Sequence, residues 1–457
     1  MSGQPEKLHV DYTEGSIIGS ILKMGLPSMF GFLAQHIYGM VDTYWVAQLS
    51  AKESGVAAIT FFGNILWFFF AANQLVGPGS VAIISRRYGE KAYDATEKAI
   101  KESITLKLFF GGVFGIVGFF CVEYMLRLVG AKGEALVLGI SYGRVMFLGL
   151  SVMYATYTIF TAMRSVANPK MAMNLMIGSN ILNLVLDPFF IFGWWGLPAW
   201  GIVGAAYASV LSYSITFMIG LVLFYTGRSN VKLHLSGKES MSISSMWKIV
   251  KIGVPAWLGD MSFSGSRLVI TPLVAAFGTS VVAAYGVAMQ VFGFGIMLLV
   301  GIGLGLSSLI GHNLGGNKVA RARKTGDQSI MLGVGMMIAF GALIYLFCGW
   351  FMGLFFDNPE TVAQGVAILR TFAFSFPFFG AFIMLEEIHM GVGLNTPVMI
   401  VTIIQGWGLQ VLPVLLLTQI GGFDQYAIWW VLALSGVVSS IGFYFYYRRG
   451  RWLGVKV

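Results

Sequence analysis

Runs of apolar residues about twenty long recur throughout this chain, and they leave it little choice of architecture. Hydrocarbon supplies no water to backbone N–H and C=O groups, so a segment this long and this apolar must satisfy them internally, as a helix. Windows of about 19 residues place twelve candidate spans at 17–47, 55–84, 103–128, 139–162, 171–193, 202–225, 246–277, 281–311, 328–356, 364–392, 396–419 and 426–447. The first, seventh and eighth exceed what a perpendicular crossing needs, which predicts tilt, a kink or protrusion. The expected fold is therefore all-α and membrane-embedded. Only 11% of the 457 residues are charged, against about a quarter in a soluble protein. The 59 glycines suit helices that approach closely or bend.

The net charge of +9 does not point to nucleic acid. Basic residues cluster between apolar runs instead of forming a stripe interleaved with aromatics. Of the 29 Lys and Arg, Arg144, Arg267 and Arg370 fall inside spans and Lys52, Arg127 and Lys132 on one side; the other 23 fall on the opposite side. The positive-inside rule then puts both termini and the central linker in the cytoplasm. The N-terminus lacks the pattern of a cleaved signal, so the first apolar run is expected to stay in the mature chain. Cys121 and Cys348 sit in apolar stretches and read as buried, reduced thiols.

The chain resembles itself on either side of its longest polar segment, 226–245. Ile21-Leu22-Lys23-Met24-Gly25-Leu26-Pro27 recurs as Ile249-Val250-Lys251-Ile252-Gly253-Val254-Pro255. Gly89 recurs as Gly315, Arg144 as Arg370, and Cys121 as Cys348, all at nearly the same offset. This divides the chain into an N-terminal lobe (1–225), a linker (226–245) and a C-terminal lobe (246–457). Six spans per half bring both halves in from the same side, so the repeats are parallel, with a cavity between them. Rocking one bundle against the other would expose that cavity to each side in turn.

Carboxylates within spans are costly, about 2.5–3.5 kcal/mol for an Asp at a helix centre, so each needs a reason. Asp42 has Tyr38 one turn before it on the same helix face. Asn183 and Asp187 share the same spacing, immediately before Pro188, and Ser209 offers a hydroxyl at comparable depth. These are hard oxygen donors, suited to Na+ or to a shared proton, and two acids brought close cannot both stay charged cheaply. The structural alternatives are a helix cap for Asp187 and a surface position for Asp42. In the second half, Asp260 precedes Arg267 by two turns, which suggests an ion pair. Glu386 and Glu387 point about 100° apart, so one of them faces the cavity, with His389 nearby. These C-lobe acids are candidates for coupling or for substrate. Pro27 and Pro255 each remove one backbone hydrogen bond from matching helices and read as bends. No P-loop, HExxH or metal-spaced cysteine set is present. An enzyme or an ATP-driven pump is excluded, and no cofactor is expected.

Gly25-Leu26-Pro27 in the first span and Met40-Val41-Asp42-Thr43-Tyr44-Trp45 resemble the multidrug and toxic compound extrusion (MATE) exporters. So do Asn183-Leu184-Val185-Leu186-Asp187-Pro188-Phe189-Phe190 and Gly201-Ile202-Val203-Gly204-Ala205-Ala206-Tyr207-Ala208-Ser209, particularly the prokaryotic DinF-like branch. That family lies within the multidrug/oligosaccharidyl-lipid/polysaccharide exporter superfamily. The resemblance covers nearly the whole chain. It implies a V-shaped pair of bundles, antiport of drug-like compounds, often cationic, against H+ or Na+, and a cation site at Asp42, Asn183, Asp187 and Ser209, with Tyr38 adjacent. Ser209 stands where relatives often have Thr, and the loop Arg164-Ser165-Val166-Ala167-Asn168-Pro169 departs from the family's usual Arg-Gly-x-Gly-Asp form.

The expected protein is a monomeric multidrug antiporter of a prokaryotic cytoplasmic membrane, in contact with small-molecule substrates and lipids but not with nucleic acid. Its rival is a lipid-linked oligosaccharide flippase of the same superfamily. That reading would favour extra spans and a strongly basic cavity.

Overall fold

The computed structural model describes residues 12–49, 52–235 and 239–455, with side chains throughout except at 36–42 and 52. The described residues are predominantly helical, without a strand. The first half comprises α1 (Ile17–Val46), α2 (Lys52–Ala72), α3 (Gly77–Gly89), α4 (Tyr93–Leu128), α5 (Gly133–Ser165), α6 (Pro169–Phe192) and α7 (Ile202–Tyr225). The second comprises α8 (Ile243–Ala275), α9 (Thr279–Gly315), α10 (Val319–Gly353), α11 (Pro359–Val392), α12 (Thr396–Ile403), α13 (Leu412–Leu415) and α14 (Gln425–Arg448). A 3-10 turn at Asn73–Leu75 joins α2 to α3 into one span, and π-helical turns at Ile404–Val411 and Leu416–Ile420 join α12 and α13 into another. Pro413, which cannot donate a backbone hydrogen bond, lies between the two widened turns.

Among the described residues, eleven spans are long and apolar enough to cross a membrane. The twelfth is α8, whose 33 residues include Lys248, Lys251, Asp260, Arg267 and several serines that dilute its hydropathy. Helix starts follow capping chemistry. Ser16 accepts from Gly19 N, Asn168 precedes Pro169 and accepts from Met171 N, and Asn358 precedes Pro359 and accepts from Glu360 N.

Three expectations change. The span predicted from 103 begins at Tyr93, because charges that read as loop are absorbed by α4. Glu97 pairs with Lys101 at 2.7 Å. Lys107 is buried, donating to Asn73 O at 2.5 Å and lying over the Tyr154 ring, so it is not a loop charge. Cys121 is exposed on the outer face of α4, whereas Cys348 is buried. Pro27 and Pro255 lie inside α1 and α8, and neither ends its helix. The central connection is fastened to α4: the His234 and Ser242 N–H groups donate to Glu97 and Glu102 at 2.7 and 2.9 Å.

The internal repeat is geometric as well as sequential. Arg144 lies over Phe119 at 5.4 Å, and 226 positions on Arg370 lies over Tyr345 at 5.3 Å. The seam between the halves is self-matching, like an isologous interface. A side chain at Gly25 would meet Ile302 Cα at 2.9 Å, and one at Gly253 would collide with the Leu75 carbonyl. A side chain at Gly89 would collide with the His312 carbonyl, and one at Gly315 with the Arg86 carbonyl. These contacts lie in the parts of α1, α3, α8 and α9 that lead to the basic loops. The V is therefore closed at its basic end.

Candidate functional site

The hairpin α6–α7 builds the first polar cluster. Gly193 ends α6 in the left-handed region (φ 74°), and the Trp200 and Gly201 N–H groups donate back to Phe190 O and Ile191 O, each at 3.1 Å. A side chain at Gly204 would strike the Phe190 carbonyl, so its absence lets α7 press onto α6. That approach carries Ser209 to Asn183. With the amide oriented to satisfy its neighbours, Asn183 Nδ2 donates to Asp187 Oδ2 at 3.2 Å and Oδ1 accepts from Ser209 N at 3.0 Å. Asn183 and Asp187 share one helix face through their four-residue spacing. All three are buried, Asp187 completely. The cap reading for Asp187 does not hold, because α6 continues past it to Phe192.

Helix α1, which carries Tyr38 and Asp42, packs against α6. The side chains of both residues lie outside the described ones. One turn along α7 from Ser209, Tyr213 stacks on Tyr157 of α5 at 6.2 Å, and Gln35 of α1 donates to both hydroxyls, at 3.3 Å to Tyr213. Sequence reasoning missed this group. A Tyr or Gln in an apolar run raises no alarm, since the polar tip alone distinguishes it.

The second group of acids lies at the seam. Gln74 Nε2, from the first half, donates to Asp260 Oδ2 at 3.1 Å. The expected Asp260–Arg267 ion pair is not formed. Seven residues rise about 10.5 Å along a helix, and Arg267 instead lies over the Phe263 ring at 5.8 Å with Nη2 4.0 Å from Met289 Sδ. Glu386 lies within Coulombic range of Asp260. Glu387 is buried, accepts from the Ser307 hydroxyl, and is electrostatically coupled to Arg164 of the first half. Arg164, which the sequence places in a cytoplasmic loop, is only 4% exposed. Beside it His312 Nε2 meets Ser165 O at 2.6 Å. Glu386 and Glu387 thus divide as helix geometry requires, with Glu387 buried at the seam and Glu386 partly accessible. His389 is buried against Phe443, with Nδ1 2.7 Å from Leu385 O.

A buried polar cluster inside one bundle, a self-matching seam, and acids of the second half gathered there with Gln74 and Arg164 of the first define a polytopic membrane transporter, not an enzyme. The MatE family model matches residues 27–189 and again 255–415, once in each half. The chain belongs to the MatE family. It is 27% identical over 454 residues to the probable multidrug resistance protein YpnP of Bacillus subtilis (strain 168), covering 98% of each chain. It is 24% identical over 430 residues to the multidrug export protein MepA of Staphylococcus saprophyticus, covering 94% of this chain and 93% of the relative. In fold it is similar to a MOP superfamily transporter from Pyrococcus furiosus, with a TM-score of 0.88, 24% identity and 98% of each chain covered. The same figures hold for a multidrug resistance MATE family transporter solved in an outward-facing conformation.

Proposed function

We propose that the protein exports small organic compounds, often cationic and amphipathic, in exchange for H+ or Na+, by alternating access of its two lobes. The observation that carries this reading is the convergence of Asn183, Asp187 and Ser209 in the buried interior of the first bundle, against the helix that bears Tyr38 and Asp42. A charged carboxylate in such a place is costly and calls for compensation of its charge. A cation held by Asp42, Asn183, Asp187 and Ser209 supplies it, and the cation's departure changes which packing of the bundle is favoured. The relatives named for multidrug resistance and export support the class of substrate.

In this reading the N-terminal lobe is 1–225, the linker 226–245 and the C-terminal lobe 246–457. The basic end of the V faces the cytoplasm of a prokaryote, the protein works as a monomer, and the closed seam at that end makes this the outward-open state. Asp260 and Glu386 receive the positive charge of the substrate near the floor of the cleft, Glu387 adds its negative field from within the seam, and Pro27 and Pro255 are the points at which α1 and α8 bend. The test is transport in reconstituted vesicles with pH and sodium gradients imposed separately. Uptake of a cationic dye should follow one imposed gradient in the native protein and neither in Asp187→Asn. Dye movement indifferent to both gradients sinks the antiport reading.

A further inference from the structure

The repeat carries the polar pair of the first bundle into the second, but not its acids. Asn183 and Ser209 correspond to Gln410 and Ser435, at offsets of 227 and 226. The amide and the serine are again bonded, by a different pair of atoms: Ser209 N donates to the Asn183 amide oxygen, whereas Gln410 Nε2 donates to Ser435 Oγ at 2.9 Å. Offsets of 226 to 228 carry Asp187 onto Pro413, Val414 or Leu415, and Asp42 onto Leu268, Val269 or Ile270. None of these is acidic, and a cation, Arg267, stands immediately before the equivalents of Asp42. The second bundle has kept an amide–serine pair, lost the acids beside it, and carries an arginine nearby.

Around Gln410 lies a narrow cleft, open at its mouth, with the exposed Arg267 in its lining. Its walls are largely aromatic: Phe263, Tyr285, Phe292 and Phe379. These rings are held by their own packing, Tyr285 stacked on Trp429 at 5.4 Å and Phe292 edge-on to Phe379 at 4.7 Å. Arg267 meets only a ring face and a thioether, and no oxygen acceptor among the described residues. Its guanidinium carries five N–H donors in a planar fork. Gln410 sits in the π-helical turn Ile404–Val411, a distortion frequent at functional sites. Its amide nitrogen is committed to Ser435, whereas its carbonyl oxygen has no donor among the described residues.

We propose that this cavity is a ligand site separate from the cation site of the first bundle, and that it takes a small aromatic monoanion. The carboxylate pairs with the Arg267 fork, whose geometry matches two oxygens at once. The ring lies between the aromatic walls in offset or edge contact, and a donor on the ring reaches Gln410 Oε1. One guanidinium neutralises one charge, so a dianion would leave its second charge without a cationic partner in the lining. A cation is repelled by Arg267 and finds no carboxylate in the lining. A lipid phosphate offers similar anionic chemistry, so the experiment separates the two sources.

The experiment is equilibrium dialysis of radiolabelled 2-naphthoate against the purified full chain in a neutral detergent. Its uncharged isostere 2-naphthamide serves as the second probe, and thermal unfolding establishes that each variant is folded. Saturable one-to-one binding of naphthoate is expected, with naphthamide at least about tenfold weaker. Arg267→Gln should weaken naphthoate at least about tenfold, and Arg267→Lys should recover part of the loss. Equal binding of acid and amide by the native protein overturns the proposal without recourse to any variant. Undiminished binding by folded Arg267→Gln also overturns it, as does displacement of naphthoate by phosphatidylglycerol micelles but not by phosphatidylcholine micelles, which assigns the site to lipid.

Discussion

Gln74 donates to the Asp260 carboxylate across 3.1 Å, joining residues 186 positions apart and from opposite halves of the chain. The bond forms only while the seam is closed, so it favours this conformation over any in which the halves part on that side. A hydrogen bond to a charged group contributes about 1.5–3 kcal/mol. Gln74→Leu should therefore shift the equilibrium away from this state by roughly tenfold to a hundredfold. Distances between spin labels on the open side of the two halves measure the shift. An unchanged distribution means the bond does not bias the equilibrium.

The two seam glycines make a sharper demand. Gly89→Ala and Gly315→Ala each place a methyl group against a backbone carbonyl of the other half, His312 and Arg86 respectively. Backbone cannot move aside as a flexible side chain can, so each variant should resist closure of the basic end. Transport should fall at least about tenfold, by the arithmetic of a 1.4 kcal/mol bias, with expression close to native. Native transport rates in both variants would mean the seam does not need this contact.

Within the first bundle, Asp42→Asn and Asp187→Asn should each abolish gradient-driven efflux while leaving equilibrium drug binding measurable. Combined, they should cost no more than either alone, because each breaks the same site. Efflux assays on the two single variants and the double variant test this. Additive partial losses would place the two acids in separate roles.

Gly204→Ala probes the hairpin itself. The added methyl meets the Phe190 carbonyl, and overpacking of this kind costs about 1–3 kcal/mol. Thermal unfolding in detergent should register a lower midpoint, and coupling should weaken with it, since Ser209 is drawn away from Asn183.

Orientation is checked with Ser240→Cys and Asp357→Cys, both at exposed positions, on a chain whose Cys121 and Cys348 are replaced by Ser. An impermeant thiol reagent should label position 357 from outside intact cells and position 240 only after lysis. The reverse pattern would invert the topology.

The sequence by itself determined the architecture and the acids of interest. Hydropathy is a local property, and a bilayer converts each long apolar run into a helix whatever its neighbours do. The four-residue spacing of Asn183 and Asp187 settles that they share a face, and the duplicated motifs announce two halves. What lay across from each face was decided by tertiary structure. Asp260 reads as the partner of Arg267 because both stand on one helix, yet its bond is to Gln74 on a helix of the other half. Lys107 and Arg164 read as loop charges because each falls within a few residues of a predicted span end. Burial inside a bundle, as for Lys107, or at the seam, as for Arg164, depends on how neighbouring helices are rotated. Each residue turns a helix face by about 100°, so a small change in rotation or tilt exchanges one set of partners for another. Glycine shows the same division. Its abundance was legible in the sequence, but only the packed halves select Gly89, Gly204 and Gly315 as the points where two backbones touch.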